Sequence, residues 1–219
     1  LGTTSLEKGI SLYGEGRWGD AVAELRKAHA ESEGDNIKQA DILSWISLAE
    51  IGAGEYEEAI KDLDEITAIN PNGAWNVEIP YYKGRCLYHL GEFDEAIISL
   101  KSYADAVSDP MKKASSFYWV GECLFSLGQF DLAQDVFYRV IDDYPQSVKY
   151  EAANYRIALI DQKKVEAELL AILKWSHEES LKTVEAYQRR ERSYDQAIIA
   201  YQKRITDMQN NQLSQVPSE

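Results

Sequence analysis

The chain has 219 residues, 45% of them hydrophobic, and carries a formal net charge of −14 at pH 7. This hydrophobic content excludes a disordered chain, and no apolar run approaches the roughly 20 residues that a membrane-spanning helix needs. The acidic excess argues against a nucleic-acid-binding protein, because phosphate binding requires concentrated Lys and Arg. Residues 1–145 carry 12 basic and 26 acidic side chains, whereas residues 146–219 carry 11 of each. We therefore predict an acidic front part and a neutral back part with different surfaces.

One short pattern recurs four times: Gly-x-aromatic, followed by Ala three residues after the aromatic. Its glycines are spaced by 38, 37 and 37 residues and are Gly16, Gly54, Gly91 and Gly128. Apolar residues around each copy recur at three- and four-residue intervals, as in Phe117, Val120 and Leu124, which predicts amphipathic helices on both sides. Each copy is therefore predicted to be two helices joined by a tight turn at the glycine. A period in this range indicates a helical repeat array.

This pattern resembles the tetratricopeptide repeat (TPR) family, in which a small residue precedes Gly-x-aromatic-x-x-Ala and a proline follows. The resemblance covers about residues 2–145 and departs from the family pattern at Ser47 and Glu50 in the second copy. It implies an all-α fold, a right-handed α-solenoid of about four TPR helix pairs, a fifth first helix and a long C-terminal capping helix. The predicted repeats span residues 1–147 and are 2–37, 38–76, 77–113 and 114–147. Pro71, Pro110 and Pro145 are expected to end second helices.

The repeat register continues past residue 147 and then breaks. No glycine follows Gly128, and no proline lies between Pro145 and Pro217, so we predict that the fifth first helix occupies 148–176. Ser176-His177-Glu178-Glu179 matches a capping box, which predicts a new long helix over 177–210. It is either one helix or a pair with a degenerate turn at Arg192. Residues 211–219 are expected to form a frayed tail.

No candidate catalytic or metal-binding motif has the spacing that its chemistry requires. The three histidines lack metal-ligand spacing, and Cys86 and Cys123 are interpreted as small buried fillers. Gly14–Gly19 matches a dinucleotide-binding fingerprint, but no strand pattern precedes it. The carboxylates of Glu55–Glu65 are typical of a solvated helix face. We therefore expect no enzyme activity, no cofactor and no metal.

Aromatic residues recur on the predicted first helices, at positions that line the concave face in TPR arrays. We predict a partner-binding groove there because tyrosine offers a large contact area and a polar tip; its residues are Tyr13, Tyr81, Arg85, Tyr88, Tyr118, Glu122, Phe125 and Tyr155. The alternative is that the tyrosines pack between repeats or under the C-terminal helix. The lining favours an apolar or mixed peptide. It lacks the Lys and Asn of chaperone-binding TPR clamps, so we do not expect capture of an acidic chain end.

The segment Phe137–Ser147, followed by Tyr155, resembles bacterial envelope TPR proteins, in which Tyr-Pro-x-Ser links repeats. These include the lipoprotein of the outer-membrane β-barrel assembly complex and the TolA-binding division coordinator. The resemblance implies a non-catalytic scaffold or adaptor in the periplasm or cell envelope. Its partner would be a protein or peptide, and it would reach the membrane only through an N-terminal lipid anchor preceding this chain.

Two other functions remain open at this point. One is structural self-assembly through residues 177–210, where Tyr187, Tyr194, Tyr201 and Met208 recur every seven residues, as in a coiled coil. The other is that the groove holds a small solute for a transport system.

Overall fold

The computed structural model describes residues 4–213, with side chains up to residue 211, and within this range it contains nine α-helices, one 3-10 helix and no strand. The α-helices are α1 (Ser5–Gly14), α2 (Trp18–Glu31), α3 (Asn36–Ala53), α4 (Tyr56–Ile69), α5 (Ile79–Leu90), α6 (Phe93–Ala106), α7 (Pro110–Ser126), α8 (Phe130–Asp143) and α9 (Tyr150–Leu213). The 3-10 helix is Ala74–Val77. The chain forms two compact units, Leu1–Ile160 and Asp161–Glu219. The predicted all-α repeat array is confirmed.

The glycine of each sequence copy lies in the turn between two helices. Gly54 and Gly91 cap α3 and α5 with φ of 83° and 82°, a left-handed backbone that a residue with a Cβ adopts only at a cost. The aromatic residue two positions later begins the second helix of its pair; these residues are Trp18, Tyr56, Phe93 and Phe130. The four copies therefore give the pairs α1–α2, α3–α4, α5–α6 and α7–α8.

Small residues allow the two helices of a pair to approach closely. A Cβ added to Gly84 would lie 2.5 Å from Leu100 Cγ, and one added to Gly121 would lie 2.6 Å from the ring of Phe137. Ser47 occupies the same repeat position in α3, where its buried hydroxyl donates to the Leu43 carbonyl at 2.8 Å. This bond satisfies the polar group that distinguishes the second copy from the others.

The first helices of successive pairs lie side by side and form one face of the first unit. Helix α5 packs against α4 and α6 and also contacts α7, and α1 contacts α3. The beginning of α9 closes the last pair, because Ala153, Ile157 and Ile160 join the buried cluster around Phe137. We call the surface formed by α1, α3, α5, α7 and residues 150–160 the first-helix face. This packing against the last pair holds the residues around the start of α9 in place.

Three predicted boundaries were wrong. The structure has one helix, α9, where we predicted a break at Ser176–His177 between helices over 148–176 and 177–210. A capping sequence can remain helical when no Gly or Pro interrupts the chain, and the Ser180 hydroxyl donates to the Ser176 carbonyl within the helix. Helix α9 also continues through residues 211–213 of the predicted frayed tail, and residues 214–219 lie outside the described range. Pro110 begins α7 rather than ending α6, since the first helical turn needs no N–H from that position.

The helix of the second unit is exposed along its length. From residue 161 to residue 211, every side chain is exposed except that of Lys164, which is half-buried. Among the described residues, no helix combines the length and the apolar character that crossing a bilayer requires.

Candidate functional site

Trp119 of α7 lies at the centre of an aromatic cluster on the first-helix face. Its ring centroid is 5.1 Å from that of Tyr88 on α5 and 6.0 Å from that of Tyr118 on α7. His89 contacts Trp119 from α5 at 6.0 Å. The three residues Tyr88, Tyr118 and Trp119 are half-buried, so each ring keeps part of its surface available to a ligand. We call this group, together with Tyr81, the Trp119 cluster.

Two cations border the Trp119 cluster. The Arg85 guanidinium carbon lies 5.2 Å from the centre of the Trp119 ring and 5.7 Å from that of Tyr81. Lys149, just before α9, places Nζ 4.8 Å from the Tyr118 ring centre and 5.6 Å from that of Trp119. These are cation–π distances. Among the described residues neither cation forms an ion pair, which is notable in a chain with a net charge of −14.

Two carboxylates near this surface, Glu122 and Glu78, already have partners. Both oxygens of Glu122 accept bonds of 2.6 Å from the Arg156 guanidinium, and Glu122 is only 3% exposed. Glu78 accepts from Lys112 Nζ at 2.6 Å and from the Tyr103 hydroxyl at 2.8 Å. The positive charge of the cations bordering Trp119 is therefore not neutralised by a dedicated carboxylate.

Two buried nitrogen atoms in and beside the Trp119 cluster lack a hydrogen-bond acceptor among the described residues. Arg85 Nε and Trp119 Nε1 are both buried and donate to no described protein atom. Leaving such a group unpaired costs about 1–3 kcal/mol. A ligand oxygen would satisfy these donors only if the enclosing side chains moved aside, because neither atom is accessible to solvent.

The pKa shifts reflect the same surroundings. Burial lowers the pKa of Lys149, and the nearby positive charge of Arg85 lowers it further. Burial and the carboxylate of Glu122 raise the pKa of Tyr118 to about 12, so its hydroxyl stays protonated at neutral pH. Burial and Arg85 lower the pKa of His89, which favours its neutral form. The cluster thus has neutral aromatic rings beside two closely spaced cations.

The predicted groove residues do not all lie together. Tyr81, Arg85, Tyr88 and Tyr118 meet around Trp119. Tyr13 lies elsewhere, because its ring centroid is 5.1 Å from that of Trp18 on α2 and 5.5 Å from that of Trp45 on α3. Phe125 contacts Phe130 at 5.2 Å and lies under the guanidinium of Arg156. Glu122 is buried in an ion pair and is not available to a ligand. Tyr155 is 66% exposed.

Tyr81 and Tyr118 also pack within their own helix pairs, whereas the alternative interpretation had the tyrosines pack between repeats or under the C-terminal helix. Tyr81 contacts Tyr103 of α6 at 5.2 Å, and Tyr118 contacts Phe137 of α8 at 5.7 Å. One side of each ring therefore packs within the array.

Sequence reasoning missed Trp119, Lys149 and Arg156. A signal for Trp119 and Arg156 was present, because another row at the repeat spacing lies one residue beyond the tyrosine row. It consists of Trp45, Tyr82, Trp119 and Arg156. Lys149 gave no comparable signal, since it lies in a connection between helices. Its position depends on how α9 packs, which the repeat arithmetic does not describe.

A separate cavity lies between the second helices α4 and α6 and includes residues of α5. Its volume is about 700 Å³, and its lining includes Pro80, Leu87 and the 70% exposed Ile98. The ion pair between Lys83 and Asp64, at 2.7 Å, borders it. The sequence did not predict this cavity, which is a competing docking position for a peptide.

Comparison with known proteins identifies the repeats. Three family profiles described as tetratricopeptide repeat match residues 6–74, 50–114 and 115–147, which together span about two thirds of the chain. The chain belongs to the tetratricopeptide repeat family. No curated protein matches the sequence.

Several solved structures share the fold. MamA from Desulfovibrio magneticus RS-1 is 19% identical with a TM-score of 0.57, over 75% of this chain and 88% of that one. A MamA structure described as AMB-1 is 23% identical with a TM-score of 0.53, over 75% and 82%. TPR-like repeats of a putative kinesin light chain from Podospora anserina are 15% identical with a TM-score of 0.58, over 75% and 87%. At these identities the likeness shows the fold alone.

The TPR repeats support a protein–protein interaction scaffold. Scaffolds of this family are generally non-catalytic. Among the described residues, no group of three or more His, Cys, Asp and Glu side chains could hold a metal ion.

Proposed function

We propose that this TPR protein is a non-catalytic adaptor that binds an apolar or aromatic peptide segment carrying an acidic side chain at the Trp119 cluster. The observation that supports it best is the pair of unpaired cations, Arg85 and Lys149, beside half-buried aromatic rings. An aromatic anchor in a partly desolvated site is a common source of binding energy in protein interfaces. A carboxylate of the partner would neutralise the two cations.

The chemistry of the site favours a carboxylate over other ligands. A guanidinium donates two parallel bonds to a carboxylate, and hydrogen bonds to charged groups contribute about 1.5–3 kcal/mol. Glu122, the carboxylate whose charge acts on Lys149, is occupied by Arg156. The surrounding rings would contact the apolar part of the same peptide.

We further propose that the acid belongs to a side chain within the peptide and not to a chain end. A chain-end clamp is typically lined by polar and basic residues, whereas the rest of this cluster is aromatic. The expectation that the protein does not capture an acidic chain end remains a prediction.

We also propose that the protein acts in the bacterial envelope, which rests only on the resemblance of Phe137–Ser147 to envelope TPR proteins. The test is a fusion of alkaline phosphatase to the C-terminus of the protein that the native gene encodes, since this reporter is active only in an oxidising compartment. An inactive fusion with a normal amount of protein would contradict an envelope location.

The binding site can be tested with a random-peptide phage library selected on the full chain. We expect the selected peptides to combine Asp or Glu with apolar residues. One selected peptide is then titrated by fluorescence polarisation against Arg85→Gln, Lys149→Gln and Lys101→Gln. The first two should weaken binding about tenfold or more, equal to about 1.4 kcal/mol, whereas the exposed Lys101 on α6 serves as the control.

Two further arms separate this site from its competitors. Ile98→Asp should abolish binding if the peptide occupies the cavity between α4 and α6, and should have no effect if it occupies the Trp119 cluster. Amidation of the peptide C-terminus should leave affinity unchanged if the acid is internal. Selected peptides without acidic residues, together with full affinity for Arg85→Gln, would contradict the proposal.

A further inference from the structure

The helix of the second unit carries many large apolar side chains that are exposed in the part of the chain that the structure describes. Between residues 165 and 208, its large apolar side chains are 50–67% exposed. Scattered exposed hydrophobic residues are normal, but a contiguous exposed set of this size marks an interaction surface. An isolated helix gains most of its stability by packing such a face against another element.

The apolar residues of 184–208 follow a heptad pattern. They recur at alternating intervals of three and four residues, the spacing that keeps one seam of a helix facing a partner helix. The seam has a first row at the a positions and a second row at the d positions of the heptad. The a positions are Val184, Glu191, Ile198 and Ile205, and the d positions are Tyr187, Tyr194, Tyr201 and Met208. Seven of these eight residues are apolar or aromatic.

We propose that residues 184–208 pair with the same segment of a second copy of this chain as a parallel, in-register coiled coil. Charge supports a second copy as the occupant. Residues 161–211 carry nine acidic and nine basic side chains, so two copies of this segment do not repel each other, whereas residues 1–160 carry 27 acidic and 14 basic side chains. The neutral, apolar segment is therefore the part of the chain at which two copies can meet at the lowest electrostatic cost.

The charges that flank the seam favour the parallel orientation. Arg190 occupies a g position and Asp195 the e position of the following heptad. In a parallel pair, the g residue of one helix lies opposite that e residue of the other, so Arg190 and Asp195 meet twice. A fully overlapped antiparallel pair would instead place Arg190 near Arg204 and Asp195 near its own copy, which are like-charge contacts.

Glu191 is the one charged residue in the seam. In register, the Glu191 carboxylates of the two copies lie in the same layer of the seam, beside the guanidinium of Arg190. Placing these two like charges in one layer costs stability. A shift by one heptad would place each carboxylate against Val184 or Ile198 instead. A single polar residue at an a position is known to specify register in this way. Replacement of Glu191 by Leu is therefore expected to tighten the dimer.

Sedimentation equilibrium of the full chain, over a range of micromolar concentrations, tests self-association. We expect wild type to shift from the 24.9 kDa monomer toward twice this mass as concentration rises. Ile198→Asp, in the seam, should raise the dimer dissociation constant at least tenfold. Ile199→Asp is the matched control, because Ile199 is adjacent and similarly exposed (64% against 53%) but lies outside the seam; it should have no effect. Circular dichroism would verify that both variants stay helical.

Orientation is tested by cross-linking and by charge reversal. Ile205→Cys, oxidised by air with copper phenanthroline, should give a disulfide-linked dimer, because a parallel in-register seam brings the two positions together. Ile199→Cys should not, and the native cysteines are buried. Arg190→Glu and Asp195→Lys should each weaken association, and the double variant should recover it.

Three results would overturn the proposal. The first is a wild-type chain that stays monomeric over the whole range. The second is an equal effect of Ile198→Asp and Ile199→Asp. The third is a dimer whose Ile205→Cys variant does not cross-link, which excludes the parallel register. None of these results bears on the Trp119 cluster, because the variants lie in the second unit.

Discussion

The ion pair between Glu122 and Arg156, next to the candidate site, leads to a specific prediction about the stability of the protein. Arg156 donates to both carboxylate oxygens of Glu122 at 2.6 Å, and the side chains are 26% and 4% exposed, respectively. Arg156→Leu would leave a buried carboxylate without its partner, which costs about 3–5 kcal/mol. Because Arg156 is partly exposed, we expect a loss near the lower end, about 3 kcal/mol.

The assay is thermal unfolding of the full chain at neutral pH, followed by circular dichroism. For a unit of this size, about 3 kcal/mol lowers Tm by about 6–12 °C. The double variant Glu122→Leu/Arg156→Leu should come back to within about 1 kcal/mol of wild type, because no charge then remains buried. Lys61→Leu is the control, since its pair with Glu58 is 66% and 54% exposed and should contribute less than about 1 kcal/mol.

Two results would refute this reasoning. If Arg156→Leu destabilises the protein no more than the control does, the contribution of the ion pair to stability does not depend on its burial. If the double variant is as unstable as the single one, the loss comes from packing of the guanidinium on Phe125, 4.9 Å away, and not from an unpaired carboxylate.

Three further predictions concern packing, pH and thiol reactivity. Gly121→Ala should lower Tm, since its Cβ would lie 2.6 Å from the buried ring of Phe137. Gly19→Ala is the control and should raise Tm slightly, because its Cβ would have nothing within 4 Å. Equal shifts would contradict the close approach of the two helices at Gly121. Burial and the neighbouring carboxylate of Asp62 raise the pKa of Glu50 to about 8 and outweigh its ion pair with Arg26 at 2.8 Å. The stability that the neutral acid contributes is therefore complete in acid and is lost as pH rises through that value. Glu50→Gln should therefore raise Tm more at pH 9 than at pH 6; a pH-independent change would contradict the buried carboxyl. Burial raises the pKa of Cys86 and Cys123 to about 12, so iodoacetamide should label them only after unfolding, and rapid labelling of the folded chain would contradict that burial.

Much of the fold could be predicted from the sequence because the repeat imposes it. The Gly-x-aromatic pattern requires a turn at a left-handed glycine, and the small residue seven positions earlier requires a close helix–helix contact; Gly91 and Gly84 do this in the third pair. The repeat predicts nothing beyond its last copy. The capping sequence at Ser176 was therefore interpreted as a helix start, although α9 continues through it.

The candidate site could be predicted only in part. The tyrosine row predicted the first-helix face, on which the Trp119 cluster lies, but a row of positions does not say which side of each ring packs inward. Tyr81 and Tyr118 divide their surfaces between neighbouring helices and the site. Lys149 reaches the site from a connection between helices, so its contribution follows from tertiary packing and not from periodicity. Glu122 was predicted to be a binding residue, yet Arg156 occupies it, and that pairing depends on contact between α7 and α9.

The central claim is that a partner peptide binds at the Trp119 cluster. The most direct measurement places a photoreactive residue in a library-selected peptide, cross-links it to the full chain and maps the attachment by mass spectrometry. We predict attachment on α5 and α7 and next to Lys149, with loss of cross-linking for Arg85→Gln. Attachment near Ile98, in the cavity between α4 and α6, or within residues 161–211 would contradict this claim.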